Sequence, residues 1–298
     1  MKTIITSIMM TFCFSCFAQN ANKNWIDVNY ADDGQAYHNL DIHIPSIEKA
    51  SYKVIIIIYG SAWFANNMKP MAFQSMGKPL LDAGFAVVSI NHRSSSDAKY
   101  PAQINDVKAA IRFIRANAEK YNLDSSFIGI TGFSSGGHLS SLAGTTNGIK
   151  NYTIGKETID IEGTLGNNTS TSSKVDAVVD WFGPIDLALM EDCKNPKDEK
   201  SPEAAMIGGK PADNLDRIAL LSPNTFIDKT DPDFLIIHGD ADTVVPHCQS
   251  ELFLKALKEK GVTADLITVA NGQHGPVTFN ETTFKSMTDF FLKESKKK

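Results

Sequence analysis

The chain has 298 residues, of which 42% are hydrophobic, and a formal net charge of −5 at pH 7. An acidic balance disfavours nucleic acid and anionic membrane surfaces as partners, because both carry negative charge. The length allows a core that is stable without disulfides, and it fits one large α/β domain with an insertion at least as well as two domains.

The first 18 residues have the layout of a signal peptide. An apolar stretch follows Lys2, and small residues stand at the positions that a signal peptidase reads. We therefore expect cleavage after Ala18, export to the periplasm or the medium, and a single mature domain over 19–298. No later segment has the length and hydropathy of a membrane span, so stable insertion is not expected. A lipoprotein with its lipid on Cys16 is the alternative.

Only two cysteines, Cys193 and Cys248, remain after this cleavage. Export would permit a disulfide between them, but the sequence leaves their pairing open. Without a C-x-x-C pattern they predict no metal site.

The predicted elements alternate between strands and helices. Loose alternation over 25–45 predicts an edge hairpin. Apolar runs predict buried strands at 54–59, 85–90, 127–130, 175–182, 234–237 and 264–269. Helices are expected before Gly84 and, from apolar periodicity, over 100–121, 249–260 and 282–293. This alternation is typical of a mostly parallel sheet with helices on both faces, whose ligands bind at the carboxyl ends of the strands.

Two stretches lack a clear periodicity. Residues 147–173 are polar and are expected to form a surface excursion. Residues 188–225 are irregular and weakly helical. We expect this second stretch, hereafter the cap segment, to cover the carboxyl edge of the sheet as a small insertion.

Residues 132–136 read G-F-S-S-G between a predicted strand and a predicted helix. This is the context of a nucleophile elbow, in which a sharp turn exposes a serine hydroxyl. The motif alone is weak evidence, but its context and its place before suitable partners make Ser134 the candidate nucleophile.

A serine hydroxyl needs a base, and the base needs a carboxylate that holds its tautomer. His274 lies in a Gly-rich loop after the last strand, where the order serine, acid, histidine places the base. For the acid, Asp240 and Asp242 both follow the preceding strand, and Asp186 is a third candidate. We expect the remaining histidines to be structural: His38, His43, His92, His138, His238 and His247.

The tetrahedral intermediate of acyl transfer needs backbone donors for its oxyanion. The elbow geometry supplies the amide of Ser135. We expect Gly60 and Ser61, which follow the strand at 54–59, to supply the others.

Six segments carry a resemblance to a known fold. They are YGSAW at 59–63, YPAQINDVKAAIRFIRANAEKY at 100–121, GFSSGGHLSSLAG at 132–144, WFGPIDL at 181–187, HGDADTVVPHCQSELF at 238–253 and GQHG at 272–275. Over nearly all of the mature chain, the sequence resembles the α/β-hydrolase fold. Within that fold it is similar to the bacterial feruloyl and acetyl (xylan) esterase group, related to the hormone-sensitive-lipase-like esterases.

The resemblance implies Ser134, Asp242 and His274 as the triad, and an acyl-enzyme mechanism without metal or cofactor. One segment departs from the group. Where the group usually has His-Gly-Gly-Gly-Trp, this chain has Tyr-Gly-Ser-Ala-Trp at 59–63. Side chains at Ser61 and Ala62 would resist a left-handed backbone by about 1 kcal/mol each, so we expect either a different turn or assistance from the Tyr59 hydroxyl.

Three aromatic residues are candidates for the substrate pocket: Tyr59, Trp63 and Trp181. The expected protein is an exported serine carboxylesterase for acetyl or feruloyl esters, with acylated carbohydrate as its substrate. Two alternatives stay open: a serine peptidase of the prolyl-oligopeptidase type, and a binding protein that kept the fold without catalysis. The acyl group, the alcohol and the oligomeric state do not follow from the sequence.

Overall fold

The computed structural model describes residues 24–191 and 193–298. The predicted signal peptide, residues 1–18, lies outside the described residues. Within these two ranges, no helix has the length and hydropathy needed to cross a membrane.

An eight-stranded sheet forms the centre of the molecule, in the order β1-β2-β4-β3-β5-β8-β9-β10. Its strands are β1 (Asn24–Asn29), β2 (Asn39–His43), β3 (Tyr52–Ile58), β4 (Ala86–Ile90), β5 (Leu123–Phe133), β8 (Ala177–Trp181), β9 (Asp233–Gly239) and β10 (Ala264–Val269). β1 and β2 are antiparallel and form the predicted edge hairpin, and β2 pairs antiparallel with β4. The other six strands, β3, β4, β5, β8, β9 and β10, are parallel to one another. The predicted mostly parallel sheet is therefore confirmed.

Helices cover both faces of this sheet. They are α1 (Lys69–Asp82), α2 (Ala102–Ala116), α3 (Ser135–Thr145), α4 (Pro202–Ile207), α5 (Leu215–Leu221), α6 (Cys248–Glu259) and α7 (Glu281–Ser295). α1 and α7 pack on one face, whereas α2, α3 and α6 pack on the other. Short 3₁₀ turns occur at Ala36–His38, Glu119–Tyr121, Leu187–Leu189, Pro211–Asp213 and Pro223–Phe226.

The apolar run in β3 shows why the sheet is buried on both sides. Side chains alternate between the faces of a strand, so a strand covered on both faces is apolar throughout. Val54, Ile56 and Ile58 pack on the side of α2 and α3. Ile55 and Ile57 pack on the side of α1 and α7.

The excursion over 147–173 contains a hairpin that was not expected from the sequence. β6 (Asn151–Ile154) and β7 (Glu157–Asp160) pair antiparallel in a separate two-stranded sheet. The hairpin contacts α5, which belongs to the cap segment. The polar stretch therefore supports the cap segment instead of forming a structureless loop.

Cys193 and Cys248, whose pairing the sequence left open, are joined in a disulfide. Cys193 lies in the cap segment and Cys248 is the first residue of α6. The bond thus ties the cap segment to the helix that follows the Asp242 loop.

Candidate active site

Ser134 stands between the last residue of β5 and the first residue of α3. Its backbone has a positive φ of 56° with ψ −126°, a sparsely populated conformation that costs a non-glycine residue about 1–3 kcal/mol. The motif glycines serve a different purpose, because neither has a positive φ. A Cβ on Gly132 would lie 2.4 Å from the Gly136 carbonyl oxygen, and one on Gly136 would lie 2.3 Å from that of Ile58. The glycines therefore provide space, and the serine itself carries the strain.

A chain of two hydrogen bonds connects Ser134 to Asp242 through His274. His274 Nε2 lies 2.9 Å from Ser134 Oγ, and His274 Nδ1 lies 2.7 Å from Asp242 Oδ2. An ionised carboxylate can only accept, so Nδ1 carries the proton in the neutral ring. Nε2 then accepts the Ser134 O–H. This is the arrangement in which a serine can lose its proton to a base.

The side chain of Asp242 is fully buried and is held by more donors than His274 alone. Its Oδ1 accepts from the amides of Val244 at 2.8 Å and Val245 at 3.0 Å. His238 Nε2 lies 3.3 Å from Oδ2. Burial by itself would raise the pKa of Asp242, but the hydrogen bonds from His238 and His274 outweigh it and hold the pKa well below its usual value. The carboxyl group is therefore ionised at neutral pH.

The two other acid candidates make different contacts. Asp240 Oδ1 accepts from the amide of Asn271 at 2.6 Å, and so braces the loop that carries His274. Asp186 accepts from the Ala188 amide at 3.2 Å and caps a short 3₁₀ turn. The structure thus places Asp242, rather than either neighbour, against His274.

His238, expected from the sequence to be structural only, is a residue of the site. Its Nδ1 lies 2.7 Å from Ser250 Oγ, and its Nε2 lies 3.1 Å from the Val245 carbonyl oxygen as well as near Asp242. The His238 ring therefore contacts the same carboxylate oxygen, Asp242 Oδ2, as His274 does. The spacing His238 to Asp242 at a strand end was the available signal.

The residues predicted to hold the oxyanion surround Ser134, but one of their amides is occupied. A Cβ on Gly60 would lie 2.7 Å from Ser134 Cβ, so this backbone lies directly against the serine. Ser135 opens α3, where an amide has no acceptor within the helix. The Ser61 amide donates to Ser135 Oγ at 2.8 Å. The Ser135 hydroxyl must turn away before the Ser61 amide can face a substrate.

The loop that replaces the glycine-rich segment takes a left-handed turn despite its side chains. φ is 50° at Ala62 and 60° at Trp63. The Ser95 amide donates to the Trp63 carbonyl oxygen at 2.8 Å, which holds the turn in place. The Tyr59 hydroxyl donates to the Ala65 carbonyl oxygen at 3.2 Å. Of the two expected alternatives, a different turn or assistance from the Tyr59 hydroxyl, the second is therefore contradicted.

A cavity of about 420 Å³ opens beside Ser134. Trp63 lines it, as do residues of the cap segment, including Met190, Glu191 and Glu203. Tyr59 and Trp181 are fully buried, and neither is among the described residues that line this cavity. Their prediction as pocket residues is therefore wrong. Both face the layer of α1 and α7 because side chains alternate along a strand.

A mostly parallel sheet with a serine at the turn between β5 and α3, followed along the chain by Asp242 and His274, defines the α/β-hydrolase fold. Comparison with known families narrows this class. The chain belongs to the BD-FAE family, whose model matches residues 40–257.

Solved structures and curated proteins are similar to most of the chain. A truncated form of a carbohydrate esterase from gut microbiota has a TM-score of 0.92 and 59% identity, over 94% of this chain and 98% of that chain. A bifunctional GH43-CE protein of Bacteroides eggerthii has a TM-score of 0.89 and 67% identity, over 91% and 35%. The probable carboxylic ester hydrolase LipM of Mycobacterium tuberculosis is 32% identical over 78% of this chain and 51% of its own length. The chain spans about half the length of the first curated relatives it matches.

Proposed function

We propose that this protein is an exported serine carboxylesterase that removes acyl groups, acetyl or feruloyl, from hydroxyls of poly- or oligosaccharides. The observation that carries the proposal is the unbroken hydrogen-bonded chain from Ser134 through His274 to Asp242, beside a cavity that reaches the cap segment. The esterase names of its relatives support the ester bond, and the carbohydrate esterase at 59% identity supports the sugar.

In the first half of the reaction, Ser134 Oγ attacks the ester carbonyl carbon while its proton passes to His274 Nε2. The buried carboxylate of Asp242 stabilises the imidazolium that forms. The C–O bond to the sugar then breaks, and the leaving oxygen takes the proton from His274. An acyl group remains on Ser134.

In the second half, a water molecule gives its proton to His274 and attacks the acyl carbon. The bond to Ser134 Oγ breaks, the serine recovers its proton and the carboxylic acid leaves. Through both halves, the amides of Gly60 and Ser135 stabilise the oxyanion, and the Ser61 amide joins them once the Ser135 hydroxyl has turned away from it. Each such donor typically contributes about a hundredfold to a thousandfold in rate.

The proposal of export rests on the layout of residues 1–18 and is supported by the disulfide, since such bonds persist in oxidising compartments. Cell fractionation with N-terminal sequencing of the mature protein tests it. A chain that begins at Gln19 outside the cytoplasm is expected. An intact Met1, or a lipid-bearing Cys16, would contradict this form of export.

The serine mechanism is tested with the 4-nitrophenyl esters of acetate, butyrate and ferulate. We expect Ser134→Ala to lower kcat by more than about 10⁴-fold. Ser140→Ala, which removes another buried hydroxyl of α3, is the matched control and should remain within about twofold. Equal trace rates in the wild type and Ser134→Ala would refute the proposal.

Two further measurements separate the alternatives. A fluorophosphonate should label the wild type on Ser134 and leave Ser134→Ala unlabelled, whereas a non-catalytic binding protein would stay unlabelled in both forms. Faster hydrolysis of peptide 4-nitroanilides than of esters would instead indicate a peptidase.

A further inference from the structure

Glu203 is a buried carboxylate without a partner in the wall of the cavity. Only 3% of the residue is exposed, yet it lines the same cavity as Ser134. Its Oε2 is buried without a hydrogen-bond partner. Within the part of the chain that the structure describes, no donor or cation pairs with this side chain.

A buried carboxylate without a hydrogen-bond partner lowers the stability of the folded protein. Buried carboxylates in proteins are nearly always paired or hydrogen-bonded, because water no longer solvates them. The first turn of α4, where Glu203 lies, supplies no donor to its buried oxygen. A ligand that enters the cavity and brings a donor would satisfy it.

The rest of the cavity indicates which donor this is. Trp63, which also lines the cavity, has a buried Nε1–H without an acceptor. An orphan donor and an orphan acceptor together suit hydroxyl groups, which can both donate and accept. The lining carries three acidic residues and one basic residue, which gives a net charge of −2: Glu191, Asp198 and Glu203 against Lys197. An anionic sugar is therefore disfavoured.

We propose that Glu203 is a specificity residue that accepts a hydrogen bond from a hydroxyl of the uncharged sugar whose ester is attacked by Ser134. This inference rests on the proposed function and adds the class of the alcohol, a neutral sugar rather than a uronic acid. Glu203 binds the alcohol part of the substrate and takes no part in proton transfer.

The kinetic test compares three substrates: 4-nitrophenyl acetate, which has no sugar, an acetylated xylo-oligosaccharide, and an acetylated oligogalacturonide. For the xylo-oligosaccharide, kcat/KM should fall about tenfold in Glu203→Gln and about 10- to 100-fold in Glu203→Ala, mainly through KM. For 4-nitrophenyl acetate, the kcat/KM of both variants should stay within about twofold of the wild-type value. Glu199→Gln is the matched control, because it removes the same charge from an exposed position of the cap segment that does not line the cavity. Its kcat/KM should stay within about twofold of the wild-type value for both 4-nitrophenyl acetate and the xylo-oligosaccharide. The wild type should prefer the xylo-oligosaccharide to the oligogalacturonide, and Glu203→Gln should narrow that preference.

A stability measurement separates recognition from a structural role. Loss of an unpartnered carboxylate should leave the Tm of Glu203→Gln unchanged or raise it. A lower Tm together with equal losses on 4-nitrophenyl acetate and the sugar ester would show that Glu203 supports the fold, and would overturn the proposal. Unchanged sugar-ester kinetics in Glu203→Ala would overturn it as well.

Calorimetric binding of acetylated xylotriose to the inactive Ser134→Ala protein distinguishes this proposal from the function on which it rests. Binding that weakens at least tenfold in Ser134→Ala/Glu203→Ala supports the role of Glu203 even if the wild type hydrolyses no sugar ester. Hydrolysis of sugar esters by the wild type, with equal binding in the single and double variants, keeps the function and overturns the role of Glu203.

Discussion

Removal of the Cys193–Cys248 disulfide should destabilise the protein and loosen one wall of the cavity. The bond joins residues separated by 55 positions. For a loop of that size, the chain-entropy relation gives about 4 kcal/mol of stabilisation at 25 °C. At about 2–4 °C per kcal/mol for a large domain, the Tm should fall by roughly 10 °C. We expect this for Cys193→Ser/Cys248→Ser and for the wild type under reducing conditions.

The hydrogen bonds of Gln249 limit how much of the cap segment loosens when the disulfide is removed. Gln249 Nε2 donates to the Leu189 carbonyl oxygen at 2.9 Å, and Gln249 Oε1 accepts from the amides of Ile185 and Asp186. These bonds hold the base of the cap segment without the disulfide. The lining residues on either side of Cys193, however, lose their anchor. KM for sugar esters should therefore rise, while kcat for 4-nitrophenyl acetate stays within about twofold.

Thermal and urea denaturation, with and without reductant, measure the stability. Initial rates measure KM for sugar esters and kcat for 4-nitrophenyl acetate separately. The double serine variant is its own control, since reductant should not affect it. A Tm change below about 2 °C would refute the entropic reasoning. A matching fall of kcat for the small ester would show that the disulfide supports the triad rather than the wall of the cavity.

Three other changes test the site and its frame. Asp242→Asn should lower kcat for 4-nitrophenyl acetate by about 10⁴-fold, because His274 loses the acceptor that fixes its tautomer; a loss below tenfold would contradict this role. Gly136→Ala should abolish soluble expression or lower the Tm by more than about 5 °C, since the new Cβ would lie 2.3 Å from the Ile58 carbonyl oxygen; a native Tm would contradict this. Burial raises the pKa of Asp180 to about 6, whereas an unfolded Asp titrates near 3.9. Stability should therefore fall by up to about 3 kcal/mol as the pH rises from about 4 to 6. Urea denaturation of Asp180→Asn should lack this loss, and an identical pH profile would refute it.

The sequence predicts the main sheet well because its strands are long apolar runs that only a doubly covered sheet explains. β10 lies at 264–269, where its strand was expected. The hairpin of β6 and β7 escaped prediction because each strand has four residues and only half of them are partly buried. Its signal was weak but present: alternation around a two-residue turn at Gly155, which has a φ of 56°.

The residues of the site likewise divide into those that the sequence predicts and those that it does not. Chain order and strand ends predict Ser134 and His274, because both follow from where the loops of a parallel sheet meet. The choice between Asp240 and Asp242, and the role of Glu203, depend on loop packing that no periodicity encodes. The wrong pocket prediction for Trp181 has a simple cause, since a strand end determines the edge of the sheet but the register determines the face.

The positions of strained backbone connect the fold to the proposed chemistry. Nine non-glycine residues in the described ranges have a positive φ. Six of them lie on the loops that form the site or anchor its cap segment: Ala62, Trp63, Ser134, Phe182, Cys193 and Asn271. At about 1 kcal/mol or more each, this strain persists only where packing offsets it. Buried contacts do so here: Trp63 is packed against His138 with 5.0 Å between ring centroids, and Phe182 against His274 with 4.7 Å. The same contacts that hold the backbone in these conformations also fix the wall of the cavity and the base, so relief of the strain should gain stability at the expense of the geometry around Ser134.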